Sequence, residues 1–436
     1  MLIRFSFENW MSFRNRAEFS MLASQERKHN ARLARIRKYP LRLLPIAAIY
    51  GANAAGKSNF FKALEFARNL VVNGTRPDKK ILVEPFCLGC EPEPPPSAFH
   101  FELLINEQVY AYSFTVTREK VLEETLTEIT PHQENILFHR HDNGDIKFET
   151  TLAKDQRLDF VASGTQPNKL FLTNAVEQRI DLLRPVYDWF ASTLRLVDPS
   201  VLFSDYTFPD PMIWAAVNSI LPRLDTGIAS LDKEELPLKN MGWELLRQIE
   251  ESLPEGEAVP LGTRFVIRRE NGNLKAEKLI SLHYREDGAT VPMEISQESD
   301  GTLRALDLLP AFIDLAGITA AGKAGKVYVI DEIDRSLHTL LTRQLLEMYL
   351  SECSGTTRSQ LIATTHDVLL MDQELLRRDE MWLTERDHSG ATDIFSICEY
   401  AEAKDDRDLR KSYLQGRLGG IPKIFLQGVL NEPKKT

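Results

Sequence analysis

Residues 46–58, IAAIYGANAAGKS, decide the fold class of this chain. The apolar run IAAIY is typical of a short buried strand, and KSNFFKALEFARNLV, which starts at Lys57, is a helix-like run. Between them, GANAAGKS fits G-x-x-x-x-G-K-[ST] in the strand–loop–helix context that this pattern requires. Gly51 and Gly56 let the backbone curl so that successive N–H groups face one anion, and the helix start adds partial positive charge. The stretch therefore predicts a phosphate-binding loop in an α/β protein.

The residue types of this loop predict its ligands. We expect Lys57 to reach the β- and γ-phosphates of a nucleoside triphosphate, and the Ser58 hydroxyl to bind Mg²⁺. ATP and Mg²⁺ are therefore the expected substrate and cofactor. The predicted ATP-binding residues of the loop are Gly51, Ala52, Asn53, Ala54, Ala55, Gly56, Lys57, Ser58 and Asn59.

A second segment, VYVIDEIDRSLH at 327–338, places acids at the end of an apolar strand. Acidic side chains gain nothing from crowding such a strand end, because burial and mutual repulsion raise their cost. A divalent ion and a nucleotide in front of them would explain the arrangement. We expect Asp331 to hold Mg²⁺, directly or through water, and Glu332 to polarise the attacking water as a general base.

A third segment, IATTH at 362–366, is another apolar strand that ends in a polar residue. A histidine at this strand tip can sense the γ-phosphate and hold the hydrolytic water, so we expect His366 to be catalytic. A lone histidine is more often structural. The order of the motifs, with one predicted helix between the Asp–Glu strand and this one, favours the functional interpretation.

Composition excludes several classes of protein. The 436 residues carry a formal net charge of −10, so there is no global attraction to nucleic acid or to anionic membrane. No apolar run approaches the ~18 residues of a membrane span, and MLIRFSFENW lacks a secretory signal pattern. A cytoplasmic protein without a membrane partner is the expectation. The basic segment 27–42 is either an ordinary solvated surface or a surface for the phosphates of nucleotide or nucleic acid.

Other stretches predict the order of the elements. Residues 98–116 read as a strand pair that turns near Asn106–Glu107, and residues 263–286 as strands around a Gly272 turn. Between them, a region from about 155 to 260 is mostly helix-like. The last third predicts a strand at 327–330, a helix at about 339–352 and a strand at 360–364. Strands that alternate with helices indicate a largely parallel sheet.

This combination of motifs resembles the ABC-type ATPase heads of the SMC, RecF and OLD-like superfamily. That family carries a signature motif before a helix, between the P-loop and the Asp–Glu strand, and the matching segment here is ESDGT at 298–302. The usual form has two glycines after the serine, and here the first is replaced. The resemblance implies that Ser299, Asp300 and Gly301 act in trans, on the nucleotide of a second copy, and hence an ATP-driven homodimer.

The same resemblance suggests three further nucleotide contacts. Phe13-Arg14-Asn15 is similar to the family's early Phe-Arg segment, which makes Arg14 a candidate. Asn174 and Gln178 lie in the region where the family has its Q-loop, and neither is preferred over the other.

A finer resemblance is to the RloA- and AbiL-like ATPases of bacterial restriction and phage-defence loci. It rests on NAAGKSN, on the ESDGT variant, on DEIDRSLH with His338 where many ABC proteins have Asp, and on TTHD. YLQGRLGGIP at 413–422 also looks like the tail of that group.

Together these features predict an α/β P-loop NTPase of the ABC-ATPase type, with a mostly parallel sheet, an antiparallel β subdomain and a helical insert. The expected domains are an ATPase lobe with P-loop and β subdomain (1–150), a mostly helical insert (151–260), a second ATPase part (261–400) and a C-terminal tail (401–436). The second ATPase part contains the signature, the Asp–Glu strand and His366.

Three functions stay open on the sequence. The first is an ATPase, converting ATP and water to ADP and phosphate, that dimerises on ATP and controls a separate effector such as a nuclease or toxin, in anti-phage defence or restriction. The second is a DNA-repair ATPase of RecF or SMC type that binds DNA directly, with the basic segment 27–42 on the DNA. The third, an energising subunit of a transporter, is disfavoured because no coupling membrane segment is visible.

Overall fold

The computed structural model describes residues 1–89, 94–149, 152, 155–199, 211–238, 242–261, 265–318, 325–400 and 408–421. The chain divides into two compact units. The first unit comprises Met1–Asn30, Arg35–Leu194 and Ile362–Thr436, and the second unit comprises Ala31–Ala34 and Arg195–Leu361.

The elements follow the chain in this order. The strands are β1 (Leu2–Glu8), β2 (Ala17–Ser20), β3 (Ala34–Ile36), β4 (Leu41–Leu43), β5 (Ile46–Gly51), β6 (Ser97–Ile105), β7 (Gln108–Val116), β8 (Val121–Ile129), β9 (Glu134–Arg140), β10 (Ile146–Phe148), β11 (Leu194–Val197), β12 (Ile228–Leu236), β13 (Ala258–Leu261), β14 (Phe265–Glu270), β15 (Asn273–Tyr284), β16 (Thr290–Glu294), β17 (Val327–Ile330), β18 (Gln360–Thr364), β19 (Met381–Arg386) and β20 (Thr392–Ser396). The α-helices are α1 (Lys57–Asn73), α2 (Gln156–Ser163), α3 (Phe171–Glu177), α4 (Arg184–Asp188), α5 (Pro211–Ile220), α6 (Trp243–Ser252), α7 (Asp300–Leu315), α8 (Thr339–Glu352) and α9 (Leu409–Leu414).

A seven-stranded antiparallel sheet, in the order β10-β9-β8-β7-β6-β1-β2, forms one layer of the first unit. The predicted hairpin is confirmed: β6 and β7 join at Asn106 and Glu107, whose φ angles of 50° and 62° are those of a tight hairpin turn. Aromatic rings pack on the inner face, where Phe5 stacks on Phe101 at 4.6 Å and meets Phe60 of α1 at 5.8 Å. This packing fixes α1 against the sheet.

The second sheet of the first unit carries the phosphate-binding loop. Its strand order is β18-β5-β19-β20, and β5 lies parallel to β19 with Ala48 opposite Met381 and Gly51 opposite Thr384. All six residues of β5 are buried, as expected for a central parallel strand. The predicted strand at 46–50 and the helix after the loop are confirmed. The combination of parallel and antiparallel sheet predicted from the sequence is therefore confirmed as well.

Helices α2, α3 and α4 also belong to the first unit. The reason is the fully buried Glu124 of β8. Its carboxylate accepts the N–H groups of Phe171 at 2.5 Å and Leu172 at 3.0 Å, and the Tyr112 hydroxyl at 2.9 Å. These bonds satisfy the free amides at the start of α3 and tie the helix to the antiparallel sheet.

The second unit contains the rest of the predicted insert and the Asp–Glu strand. A five-stranded antiparallel sheet has the order β12-β15-β14-β13, with β16 on β15, and the turn at Gly272 joins β14 to β15 as predicted. Strand β12 was not predicted, because IASLDKEEL lacks a clean alternation of apolar and polar residues. In the same unit, β11 lies beside β17, and the predicted bounds of β17, α8 and β18 are confirmed.

The basic segment 27–42 uses several of its charges in contacts within the first unit. Lys28 pairs with Glu374 at 2.7 Å, Arg42 donates to the Ser24 carbonyl at 3.0 Å, and Lys38 donates to Gln108. Within the described ranges, no helix is long and apolar enough to cross a membrane.

Candidate nucleotide-binding site

The loop between β5 and α1 owes its shape to close packing in the first unit. A Cβ on Gly51 would lie 2.4 Å from the Thr384 Oγ1 atom, and one on Gly56 would lie 2.6 Å from Thr392 Cγ2. Gly56 also has a φ of 100° and Ala54 a φ of 60°, which place both in the left-handed region. The two glycines of the motif are therefore required by sterics at these positions.

Lys57 is buried, and its ammonium group is held by the loop itself. Its Nζ donates to the carbonyl oxygens of Gly51 at 2.8 Å and Ala52 at 3.0 Å. It also lies 3.3 Å from Nδ1 of His366, an exposed side chain that follows β18. An ammonium has only protons to donate, so a hydrogen bond here requires an unprotonated Nδ1 on the histidine. The structure thus brings together two of the residues predicted from separate motifs.

A cavity of about 780 Å³ opens beside the loop, within the range of about 300–1,000 Å³ typical of small-molecule sites. Residues 51–55 and His366 line one part of it. Thr384 and Arg386 of β19 line another part, together with Leu414 and Ile421 from the end of the described chain.

The Asp–Glu turn after β17 is held in place within the second unit. Asp331 is buried, and its N–H donates to the Val197 carbonyl at 3.1 Å. Glu332 has a φ of 48°, a strained conformation that clusters at functional sites. Its side chain is about one-third exposed and lies 3.7 Å from the Arg335 guanidinium. The carboxylate of Glu332 is therefore accessible to solvent, whereas that of Asp331 is sheltered.

A buried arginine, which the sequence did not predict as part of the site, braces this turn. Arg304 of α7 donates to the carbonyl of Asp331 at 3.2 Å and to that of Glu332 at 3.4 Å. It also pairs with Asp307 at 2.8 Å, with both side chains almost fully buried. Burial lowers the pKa of Arg304, and the Asp307 carboxylate opposes this effect. The helix that begins at the signature is thereby bonded directly to the Asp–Glu turn.

The signature segment forms the start of α7. Ser299 is the N-cap, and its hydroxyl accepts the N–H of Thr302 at 3.1 Å. Gly301 is required because a Cβ there would lie 2.7 Å from the Ser336 carbonyl oxygen. Ser299 and Asp300 are exposed. The segment is thus both a capped helix start and an accessible polar surface.

A cavity of about 510 Å³ lies in front of this helix start. Ser299, Gly301 and Thr302 line it together with His338, which caps α8 by accepting the Leu340 N–H at 3.2 Å. An aspartate would cap a helix in the same way, which explains how His338 fills that position. Arg223 also lines the cavity and was not predicted, because a single arginine beside a proline gives no motif.

Two predicted nucleotide contacts, Asn59 and Arg14, do not line the cavity beside the loop. The side-chain amide of Asn59 donates to the Ser12 hydroxyl at 2.8 Å. The main-chain carbonyl of Asn59 accepts the Trp10 indole N–H at 2.9 Å. Arg14 is exposed, with its guanidinium 6.0 Å from the centre of the Phe86 ring. Asn59 therefore joins the N-terminal segment to α1.

The two Q-loop candidates are used in local packing. The Asn174 amide donates to the Thr165 hydroxyl at 2.9 Å and to the Val161 carbonyl at 3.2 Å, and Gln178 caps the end of α3. Neither lines the cavity beside the P-loop as the described residues form it. Their spacing from the P-loop fitted the family pattern, but the anchoring of α3 on Glu124 sets their surroundings.

In the part of the chain that the structure describes, no group of three or more His, Cys, Asp or Glu residues could hold a metal ion. The predicted Mg²⁺ ligands, one hydroxyl from Ser58 and one carboxylate from Asp331, are of the oxygen type that this ion prefers. An ion bound mainly by phosphates and water needs no larger cluster.

A glycine-shaped loop that ends in a buried lysine at a helix start, with a strand-end histidine beside it, defines a P-loop nucleotide-binding protein. Comparison with known families agrees with this class. Residues 46–372 match the family described as "AAA domain, putative AbiEii toxin, Type IV TA system". The chain belongs to this family and is therefore an AAA-type P-loop ATPase by descent. No curated protein matches it.

Solved structures resemble the chain over most of its length. One is described as "Crystal structure of the SmcHead bound to the C-winged helix domain of ScpA", with 12% identity, a TM-score of 0.41, and coverage of 91% of this chain and 97% of that one. Another is the "SMC head domain from Thermotoga maritima", with 15% identity, a TM-score of 0.37, and coverage of 91% and 98%.

Proposed function

We propose that this protein binds and hydrolyses ATP, dimerises when ATP is bound, and acts as a switch for a separate effector in bacterial anti-phage defence or restriction. The observation that carries the proposal is the 3.3 Å contact between Lys57 in the P-loop and His366 at the end of β18. A lysine that binds the β- and γ-phosphates and a histidine beside it can together respond to the γ-phosphate, which distinguishes ATP from ADP.

The loop supplies the binding part of this function. Its backbone N–H groups and the N-terminus of α1 attract the phosphates, and Lys57 adds a positive charge already positioned by two carbonyls. The Ser58 hydroxyl and the Asp331 carboxylate are the proposed ligands of Mg²⁺. When bound, this ion would neutralise part of the charge on the β- and γ-phosphates.

Glu332 and His366 are the proposed catalytic residues. In hydrolysis, the oxygen of a water bonds to the γ-phosphorus while the bond to the β-γ bridging oxygen breaks. The Glu332 carboxylate accepts the proton of that water, and ADP and phosphate leave. Its partial exposure supports this role, because water can reach it. His366 would orient the water and the γ-phosphate.

The signature segment is proposed to close the dimer. The exposed Ser299 hydroxyl, the backbone at Asp300 and Gly301, and the positive end of α7 form a surface that suits a phosphate. In the proposed dimer, this surface of one copy meets the γ-phosphate held by the other copy. ATP would then favour the closed state because it binds that state more tightly.

The link to defence rests on the family. Its description names an AbiEii toxin and a type IV TA system. We propose a protein effector, a nuclease or a toxin, as the partner of the ATP-bound dimer. A pull-down from the native host, with and without a slowly hydrolysed ATP analogue, tests this. Recovery of DNA-repair proteins or DNA in place of an effector would favour the direct DNA-binding alternative.

Glu332→Gln tests the switch itself. The variant should bind ATP within twofold of the native chain, lose about a hundredfold or more of its turnover, and accumulate as a dimer. Glu352→Gln, the same change at an exposed position of α8, is the matched control and should behave as the native chain. ATPase assays and light scattering with ATP give the readouts. Normal turnover in Glu332→Gln would refute the role of Glu332 as general base. Monomers of this variant at saturating ATP would refute ATP-driven dimerisation.

A further inference from the structure

The end of the described chain folds onto the P-loop, although it lies more than three hundred residues away in the sequence. The N–H of Ala52, the second residue of the loop, donates to the Gly420 carbonyl at 2.9 Å. A main-chain bond of this kind fixes the position of one loop residue directly. The segment Leu409–Ile421, here called the C-terminal segment, therefore takes part in shaping the loop.

Gly420 is itself held from two sides. The buried Tyr413 donates its hydroxyl to the same carbonyl at 2.9 Å. Gly419 and Gly420 both have a φ of 69°, and a Cβ on Gly419 would lie 2.5 Å from the Glu385 Oε2 atom. The pair of glycines thus allows the chain to pass tightly over the end of β19 and to present the Gly420 carbonyl to Ala52.

The same segment forms a wall of the cavity beside the loop. Leu414 and Ile421 line it together with residues 51–55 and His366. Leu414 is 59% exposed, so its side chain is accessible at the edge of this cavity.

We propose that the C-terminal segment is a working part of the ATP site: Gly420 and Tyr413 position the P-loop at Ala52, and Leu414 faces the bound nucleotide across the cavity. This inference rests on the proposed ATP binding and adds a positioning element that no motif of the loop contains. Substitutions in the C-terminal segment should then lower the affinity for ATP even when they leave the stability of the fold unchanged.

A charge placed at Leu414 tests the wall. Leu414→Glu puts a carboxylate beside the phosphates, and we expect at least tenfold weaker ATP binding by calorimetry on the full chain. Gln415→Glu is the matched control, because it adds the same charge one residue later at an exposed position that does not line the cavity. It should bind ATP within twofold of the native chain. If both variants lose the same ATP affinity, or if neither loses any, the proposal that Leu414 faces the nucleotide is wrong.

Removal of the Tyr413 hydroxyl tests whether the C-terminal segment positions the P-loop. Tyr413→Phe keeps the ring and removes the donor to Gly420, so ATP affinity should fall about threefold to tenfold while the thermal midpoint of the nucleotide-free chain stays nearly unchanged. A lower midpoint with unchanged affinity would mean a structural role only and overturn the positioning. This variant also decides the matter if Leu414→Glu fails to fold.

Two results separate the proposed ATP binding from the proposed role of the C-terminal segment. If the native chain does not bind ATP, the proposed function fails and the inference with it. If the native chain binds ATP and both variants bind it equally well, the inference alone fails.

Discussion

The P-loop in the first unit and the signature segment in the second unit each line a cavity, but they reach their shapes differently. The P-loop has left-handed residues at Ala54 and Gly56 and is packed against β19 and β20. The signature is a regular helix start, capped by Ser299 and approached by one carbonyl, that of Ser336. The first shape therefore depends on loop conformation and long-range packing, and the second on local capping and one close contact.

The two regions also hold their buried charges differently. The Lys57 ammonium donates to two carbonyl oxygens of its own loop, those of Gly51 and Ala52. Arg304 instead forms an ion pair with the buried Asp307 carboxylate, so its charge stabilises the fold. Bonds within the loop thus hold Lys57, whereas an ion pair and two carbonyl bonds hold Arg304 against the Asp–Glu turn.

The largest expected effect is on the buried pair. Arg304→Ala breaks the buried ion pair with Asp307, and removing one member of such a pair typically costs about 3–5 kcal/mol of unfolding free energy. Urea unfolding of the full chain measures it. Arg247→Ala, which breaks an exposed ion pair on α6, is the matched control and should change stability little. A double variant, Arg304→Met with Asp307→Leu, should recover most of the loss. If Arg304→Ala and Arg247→Ala were equally stable, the proposal that Arg304 holds the Asp–Glu turn in place would be wrong.

The next effect concerns the cation of the P-loop. Lys57→Ala should lower ATP affinity by about a hundredfold or more, or about 2.7 kcal/mol, because the phosphates lose their nearest charge. Lys62→Ala, an exposed lysine on the same helix, is the control and should bind ATP normally. Titration calorimetry gives both affinities. Retained binding in Lys57→Ala would remove the basis for the nucleotide site.

The glycines separate the two regions. Gly56→Ala should weaken ATP binding about tenfold or more, because its φ is left-handed and its Cβ would meet Thr392. Gly301→Ala should leave ATP binding intact and impair the ATP-driven dimer, because the Ser336 carbonyl must move. Gly242→Ala has nothing within 4 Å of the new Cβ and serves as the control. If Gly301→Ala weakens ATP binding as much as Gly56→Ala, the two regions do not act separately.

The smallest effect is expected in the basic segment. Lys28→Ala removes an ion pair with Glu374 at 2.7 Å whose members are 38% and 78% exposed, so stability should change by less than about 1 kcal/mol. Its binding to duplex DNA, compared with that of the native chain at two salt concentrations, should also be unchanged. Binding by the native chain that falls steeply with salt, and further in the variant, would favour the DNA-binding alternative.

Local chemistry in the sequence determined the parts of this protein whose cause lies within a few residues. The pattern of Gly51, Gly56 and Lys57 predicted the loop between β5 and α1, and the structure adds the φ angles that make the glycines necessary. Asn106 and Glu107 predicted the hairpin turn, and the apolar run at 327–330 predicted β17 with its bounds. Strand periodicity and turn chemistry depend on neighbouring residues, so both can be predicted from the sequence.

Tertiary structure alone decided the contacts that join distant segments. The bond from Ala52 to the Gly420 carbonyl, the Arg304 bonds to the Asp–Glu turn, and the Glu124 anchor of α3 each depend on groups far apart in the chain. Two of these use backbone carbonyls, which every residue carries, so no side-chain pattern marks them. The sequence therefore predicts which groups bind phosphate, and the folded chain decides what holds those groups in position.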